Sequence, residues 1–410
     1  MWSVRRYSRN SWRNFFELGL GQIGILAVGL TSTTLWARFA GKDLYGNYQL
    51  VYSYIAIVSS FSLAGLGESA AISSAKGYDG NLIQATNYKI STDLIGSLIL
   101  VGLGFHFFQG NHLLGTGLFV AALFYPFIFL QNLWVPWLNN KGKLQLLPRL
   151  QLLESVVSLA VLGALVIGHC RNLFIYLAAI MIETSLFNGC VLLWLYETRE
   201  NSRLDWDTIK YGFHISAIGL LGWLGAIDKP LIDKNLSAAA VAVYSIAQVF
   251  PLQMKYLFTI FNKLFAPGIY GAHSVTQAWF YLRPRMLPVM ALFTSIGLIG
   301  FFALPIVIPI LFSKAYVESI PYARWMWLWW GLTSPLGFLY VALVAQKKRN
   351  YILIHSVVYP IVLAVMFWSL IHRFGLWGAI EANIITGALA GLYHVLAFSF
   401  YLRQERGILI

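Results

Sequence analysis

Long apolar stretches alternate with short polar connections along the whole chain. Each stretch is about 20 residues or longer, which lets a helix cross ~30 Å of hydrocarbon and is about twice the length of a membrane barrel strand. The strict alternation of a barrel strand is also missing, so helices are the expected spanning elements. The pattern predicts twelve membrane helices, at residues 15–39, 46–70, 90–109, 113–138, 149–169, 172–196, 210–234, 238–266, 286–312, 320–345, 352–372 and 376–401.

Composition supports a membrane protein and gives no sign of a cofactor. Hydrophobic residues make up 58% of the chain and charged residues 11%, which would leave a soluble domain of this size with too little polar surface. Tryptophans such as Trp36, Trp134 and Trp194 fall near segment ends, where they are expected to anchor helices in the headgroup layer. Cys170 and Cys190 match no metal-binding or redox spacing. The expected class is an all-α membrane protein without a cofactor or metal.

The net charge of +13 is interpreted as information about topology. The basic residues form short clusters between apolar runs instead of one exposed face, so nucleic acid is not an expected partner. Twenty Lys and Arg residues, Lys89 among them, fall on the side of the N-terminus, and eight fall on the other side. This bias predicts cytoplasmic termini. The first apolar run, of about 25 residues, is too long for a signal peptide core, so the first span is expected to stay in the protein.

A polar interruption from Glu197 to Lys210 separates six predicted helices from six. It predicts an N-terminal six-helix bundle at residues 1–196, a cytoplasmic linker at 197–209 and a C-terminal six-helix bundle at 210–410. An even number of spans gives both bundles the same orientation. The expected architecture is therefore two bundles related by a pseudo-two-fold axis along the membrane normal.

Four charges and a proline lie together at the end of predicted helix seven, between Asp228 and Lys234. Pro230 kinks a helix, and Lys229 and Asp233 are four residues apart, so that they can pair on one face. The segment is either a loop of solvated charges outside the bilayer or a kinked helix end that faces a cavity. The apolar run before Asp228 is only about 17 residues long, which leaves both interpretations open.

Predicted helix eight carries a polar stripe. Ser245, Gln248, Lys255, Thr259 and Asn262 recur at steps of three, four or seven, which places them on one helical face. Such a stripe faces either a water-filled cavity or a neighbouring helix, with Lys255 in the second case extending toward the inner headgroups. We favour the cavity, because Lys255 lies more than two turns inside the predicted helix end.

Three glutamates lie within or near the ends of predicted spans: Glu154, Glu183 and Glu381. A buried carboxylate can exchange a proton or hold sodium, so each is an ion-coupling candidate, and each can equally be a structural group bonded to its neighbours. Enzyme chemistry is not expected. The chain has no GxxxxGK[ST] phosphate-binding loop, and the short segment around Asp205 and Asp207 cannot hold a nucleotide-sugar domain.

Several short motifs carry a resemblance. The stretch from Ala37 to Tyr48 is similar to the pattern A-R-x-L-G-x-x-x-Y-G-x-Y, with Ala40 in place of Leu, and Gly65 to Gly67 resembles a small-residue turn. In this order on twelve spans, these motifs resemble the polysaccharide transporter family, the O-antigen or repeat-unit flippases. That family belongs to the superfamily that includes multidrug and toxin extrusion transporters.

The second half adds two further motifs to the resemblance. Ile232 to Lys234 followed by Val243 to Ser245 is similar to the family's D-[KR] and G-x-Y-S, although Ala242 replaces the glycine. Gly375 to Ala379 is similar to the G-x-x-G-A that opens the last helix. The resemblance covers most of the chain.

The resemblance implies a flippase of the bacterial inner membrane that moves an undecaprenyl pyrophosphate-linked oligosaccharide to the outer leaflet by alternating access. Expected partners are this lipid-linked oligosaccharide, membrane lipids, a coupling H+ or Na+, and the polysaccharide polymerase machinery. The implied substrate-binding residues are Arg38, Lys229, Lys234, Gln248 and Lys255, and the ion-coupling candidates are Asp228, Asp233, Glu183 and Glu381.

A cation-coupled multidrug exporter of the same superfamily is the alternative function. Drug exporters of this superfamily often carry an acid embedded in helix one. Here helix one has only Glu17 near its inner end and the basic Arg38 at the other. This difference favours an anionic substrate.

Overall fold

The computed structural model describes residues 9–141 and 146–407. All regular elements in these two ranges are helices. Nine described helical segments, three of which join consecutive helices, are long and apolar enough to cross a membrane. The predicted all-α, multi-pass membrane class is confirmed.

The chain divides into two compact units, one up to Ala226 and one from Ile227. The first unit contains eight described helices and a closing 3-10 turn, Gly219–Ala226. The helices are α1 Arg9–Ser59, α2 Gly65–Ala75, α3 Gly80–Phe108, α4 His112–Ile128, α5 Gln131–Asn140, α6 Leu146–Ile167, α7 Leu173–Glu197 and α8 Trp206–Ile218.

The second unit contains seven described helices and two 3-10 turns, Lys314–Ser319 and Ser334–Leu336. Its core includes Phe293 of the long third helix and Phe338. The helices are α9 Asp228–Asn235, α10 Ala238–Tyr270, α11 Val275–Phe312, α12 Ile320–Thr333, α13 Gly337–Ala345, α14 Arg349–Phe374 and α15 Leu376–Glu405.

Each predicted span falls on a described helical segment, but several are broken where one continuous helix was expected. The first two spans share α1, which is interrupted at Gly41, where φ is 75°. Only glycine adopts this conformation without strain. The second span ends at Ser59 and not at residue 70. At this end of α1 the hydroxyls of Ser59 and Ser60 both donate to the Ala56 carbonyl. These side-chain hydrogen bonds compete with the backbone hydrogen bonds that would continue the helix.

Predicted helix seven is likewise broken, into α8, the 3-10 turn and α9. α8 packs on α2 in the first unit, where a Cβ on Gly65 would lie 2.4 Å from the Gly212 carbonyl oxygen. The Gly65 N–H also donates to the Ser216 hydroxyl at 3.0 Å. The compact units therefore divide within predicted helix seven, and the domain boundary expected at residues 197–209 stays a prediction.

The polar segment that precedes α8 is fixed to the turn between α2 and α3. Asp79 pairs with Lys141 at 2.8 Å and accepts the Glu200 N–H at 2.9 Å. Asn81 and Asp205 exchange two hydrogen bonds, of 3.0 and 2.9 Å, between side chain and backbone. The contacts to Glu200 and Asp205 join residues that are more than 120 positions apart, so the segment is held within the first unit.

Candidate functional site

Asp228 is a buried acid at the start of α9, with 8% of its surface exposed. Its Oδ1 accepts the Lys229 N–H at 2.8 Å, and its Oδ2 accepts the Tyr244 hydroxyl at 3.0 Å and the Gln248 amide at 3.4 Å. A helix N-terminus also favours negative charge. The solvated-loop interpretation is therefore wrong for Asp228, which lies in a hydrogen-bonded helix end.

A polar contact extends this network toward α15. Asn383 donates from its side-chain amide to the Tyr244 hydroxyl oxygen at 3.2 Å and to the Ala379 carbonyl at 2.9 Å. The chain Asp228, Tyr244, Asn383 therefore connects three helices of the second unit. Asn383 was not among the residues predicted from the sequence, because a single amide in an apolar helix carries no recognisable spacing.

Lys255 lines a cavity of about 460 Å³ in the second unit, which we call the lysine cavity. Its Nζ lies 4.7 Å from the centroid of the Trp330 ring, within the range of a cation–π contact. Thr259 and Asn383 line the same cavity. No Asp or Glu is found among the described residues that line it. This is an aromatic and cationic cavity, suited to an anionic group.

Two histidines also line the lysine cavity, the half-buried His355 on α14 and the buried His394 on α15. The His394 Nδ1 lies 2.6 Å from the Tyr351 hydroxyl oxygen. The rings of His355 and His394 are 5.0 Å apart between centroids, and Tyr340 packs against both. These histidines escaped the sequence analysis, because the fold and not the spacing brings position 355 next to position 394.

The remaining predicted substrate-binding residues are spread over both units. Gln248 joins Asp228, as described above. Lys234 is exposed and lines a smaller cavity of about 250 Å³, with its Nζ 5.6 Å from the Trp368 ring centroid. Arg38 is exposed in the first unit. The joint pyrophosphate site of Arg38, Lys234 and Lys255 stays a prediction.

The ion-coupling candidates other than Asp228 differ in their surroundings. Glu183 is buried in the first unit and accepts the hydroxyls of Ser158 and Thr184. Asp233 and Glu381 are half-buried and make no hydrogen bond or ion pair with other residues in the described ranges. Their roles in coupling stay predictions.

Lys89 is the residue that the sequence analysis misplaced most clearly. It was counted among basic residues of the inner side, but α3 begins at Gly80, and Lys89 is buried within it at 1% exposure. Its Nζ lies 3.0 Å from Asp93 Oδ2 and donates to the Ser62 hydroxyl. The charge of Lys89 is thus neutralised by Asp93, one turn away, and Lys89 no longer counts among the basic residues of the inner side.

The fold is similar to those of solved multidrug transporters. It matches an inward-facing multidrug resistance MATE family transporter of the MOP superfamily over 92% of this chain and 94% of the other, with TM-score 0.69 and 12% identity. A MOP superfamily transporter from Pyrococcus furiosus, described by the reverse polarity of its binding pocket, matches over 94% and 95%, with TM-score 0.67 and 13% identity. The Vibrio cholerae MATE transporter VcmN, in a mutant form, matches over 96% of both chains, with TM-score 0.61 and 16% identity.

No protein-family model and no curated protein sequence matches this chain. With sequence identities this low, the structural similarity establishes a shared fold alone. The expected fold is therefore supported, and the family, the role and the substrate have to be argued from the site.

Proposed function

We propose that this protein is a transporter of the bacterial inner membrane that moves undecaprenyl pyrophosphate-linked oligosaccharides from the cytoplasmic to the outer leaflet by alternating access. The observation that carries the proposal is the lysine cavity, which holds Lys255 and no described acid. Neither a pyrophosphate nor a sugar crosses hydrocarbon unaided, because removing a charged or polar group from water costs several kcal/mol, on the order of 2 to 7 for a polar group alone.

The lining of the lysine cavity suits both parts of this headgroup. Lys255 supplies a compact positive charge with three donors for pyrophosphate oxygens. Thr259 and Asn383 supply further polar groups, and the Trp329 and Trp330 rings give flat apolar surfaces against which a sugar ring can pack. Size is also compatible, since ligand cavities commonly measure about 300 to 1,000 Å³.

Coupling to an ion is assigned to Asp228 in this proposal. Binding of H+ or Na+ at its carboxylate would change the hydrogen bonds that it accepts from Tyr244 and Gln248. Tyr244 is in turn bonded to Asn383, which lines the lysine cavity. A change in ion occupancy would thus alter the cavity wall through two hydrogen bonds, which gives alternating access a physical connection to the gradient.

A cation-coupled multidrug exporter is the second candidate, and it is favoured by the names of the similar structures. The aromatic lining of the lysine cavity would also accept an amphipathic drug. Its positive charge is the contrary observation, because Lys255 would repel a cationic drug. The reversed pocket polarity for which the Pyrococcus furiosus protein is described supports the view that pocket charge separates functions on this fold.

Deletion of the gene, followed by chemical analysis of envelope glycans and by drug-sensitivity tests, separates these functions. We expect loss of one glycan, which the intact protein restores. Lys255→Ala should restore at most about a tenth of it, because a charge-assisted hydrogen bond of about 1.5 to 3 kcal/mol is removed, and Lys255→Arg should restore more. Lys263→Ala, at an exposed site on the same helix, is the control.

Two outcomes would contradict the proposal, the first its site and the second its function. Full glycan recovery with Lys255→Ala at normal expression removes the assigned role of the lysine cavity. Intact glycans in the deletion strain together with raised drug sensitivity establish the exporter instead.

A further inference from the structure

The first unit has a polar cavity of its own, of about 460 Å³. None of the site residues predicted from the sequence lines it. Four polar side chains line it: Glu68 on α2, Gln131 and Asn132 on α5, and Gln151 on α6. We call it the amide cavity. We propose that the amide cavity binds sugar units of the transported oligosaccharide, through their hydroxyl groups.

Close packing of two helices creates this cavity. A Cβ on Gly67 would lie 2.0 Å from the Asn132 carbonyl oxygen, so only glycine lets α2 approach α5 this closely. The approach places Glu68, the next residue on α2, beside the first turn of α5. The cavity is therefore built into the packing of the first unit and does not depend on a single surface side chain.

The four polar side chains are available to a ligand. None of them makes a side-chain hydrogen bond or an ion pair to another residue in the described ranges. A fully buried amide of the same unit is used structurally: Asn188 accepts the Trp134 indole N–H at 2.8 Å. Glu68 and Asn132 are exposed and Gln131 and Gln151 are half-buried, so all four side chains can exchange bound water for the hydroxyl groups of a ligand.

The chemistry of the lining selects a neutral polyhydroxylated ligand. Each carboxamide offers two donors and an acceptor, and Glu68 adds an acceptor, which together match hydroxyl groups that both donate and accept. The described lining has no Lys or Arg, so a phosphate would find no countercharge there and would be repelled by Glu68. It also has no aromatic ring on which a lipophilic cation could pack. Sugar hydroxyls satisfy the donors, the acceptors and the single charge.

This inference rests on the proposed function, and a competition experiment separates the two. The purified protein is placed in liposomes, and its movement of the host's lipid-linked repeat unit is measured. Two soluble probes then compete for it: the repeat-unit oligosaccharide without its lipid pyrophosphate, and inorganic pyrophosphate. We expect both to inhibit.

Variants should separate the two probes. Loss of one hydrogen bond corresponds to about a fivefold change in affinity. Gln131→Ala and Gln151→Ala should therefore each raise the inhibitory concentration of the oligosaccharide about fivefold, and that of pyrophosphate by less than twofold. Lys255→Ala should do the reverse. Glu68→Gln, which keeps the shape of the side chain, tests the acceptor, and Gln109→Ala at an exposed helix end is the control.

The outcomes are distinct. If the intact protein moves the glycolipid, but the oligosaccharide does not inhibit or the amide variants behave like Gln109→Ala, the amide cavity is not a sugar site and the flippase function stands. If the intact protein does not move the glycolipid, both the proposed function and this inference are overturned.

Discussion

The hydroxyl oxygen of Tyr244 lies 3.0 Å from Oδ2 of Asp228, and both residues are buried. The phenol therefore supplies the shortest side-chain donor to this carboxylate, since the Gln248 amide is 3.4 Å away. Because the same hydroxyl oxygen accepts the Asn383 amide, its removal would affect two polar groups at once.

We expect Tyr244→Phe to lower the free energy of unfolding of the second unit by about 1 to 3 kcal/mol, the cost of a buried polar group that loses its partner. Thermal unfolding in detergent would measure the change. Tyr256→Phe, at an exposed position on the same helix, should leave the melting temperature unchanged. Equal stability of the two variants would show that the Tyr244 hydroxyl contributes nothing to the native state.

The buried pair of Lys89 and Asp93 gives a second prediction about stability. Lys89→Met or Asp93→Leu alone would leave one buried charge without its partner, at a cost of about 3 to 5 kcal/mol. The double variant removes both charges and should recover most of this loss. Expression level and denaturant unfolding of the four proteins would measure the coupling between the two positions.

A transport assay on the double variant shows whether the pair has a further role. Normal transport would mean that Lys89 and Asp93 are structural. If the single variants were as stable as the intact protein, the ion pair in the structure would not be a buried, low-dielectric contact.

The sequence analysis was most successful where a residue has one physical explanation. Twelve apolar stretches predicted twelve helical segments, because a helix is the spanning element that satisfies its own backbone. Gly41 and Gly375 were identified through short motifs, and both have positive φ angles, of 75° and 57°, that disfavour other residues. Gly67 came from the same motifs, and its Cβ position is filled by the Asn132 carbonyl.

The candidate site was less accessible to sequence reasoning, because its residues come from separate helices. Periodicity identified Gln248 and Lys255, which share one helix, but Asn383 and His394 reach the same region only through the packing of α15. Lys89 was misplaced for a related reason. Its partner Asp93 lies one turn away, and a polar helix start resembles a loop when burial is unknown.

The segment before α8 gives a prediction about pH. The hydroxyl of Thr208, its N–H and nearby Lys76 all favour the ionised Asp205, so the pKa of this carboxyl lies below its ordinary value of 3.8. A carboxyl whose pKa is lowered by folding stabilises the folded protein at pH values above its ordinary pKa. This stabilisation is lost as the pH falls through the lowered pKa. Asp205→Asn keeps the helix cap without the charge.

We therefore expect Asp205→Asn to melt at a lower temperature than the intact protein at pH 7 and pH 5. The difference should shrink as the pH falls below 3.8 and disappear once the pH has passed the lowered pKa, where the native carboxyl is also neutral. Thermal unfolding across this range would measure it, with Asp207→Asn as the control because Asp207 has no described ion pair. A difference that persists unchanged at low pH would exclude a charge effect.

Two buried, hydrogen-bonded acids, Asp228 and Glu183, should respond differently to the loss of charge. Asp228 is joined to the lysine cavity through Tyr244 and Asn383, whereas Glu183 accepts its hydrogen bonds from Ser158 and Thr184 in the first unit. Asp228→Asn should abolish the acceleration of transport by an imposed proton or sodium gradient, while transport of the glycolipid without a gradient continues. Glu183→Gln should retain at least about half of that acceleration, because its hydroxyl donors can also bond an amide oxygen.

Transport in liposomes with and without the gradient measures both effects. Loss of coupling in Glu183→Gln alone would assign the coupling acid to the first unit, and the hydrogen-bonded chain from Asp228 would then have a structural role.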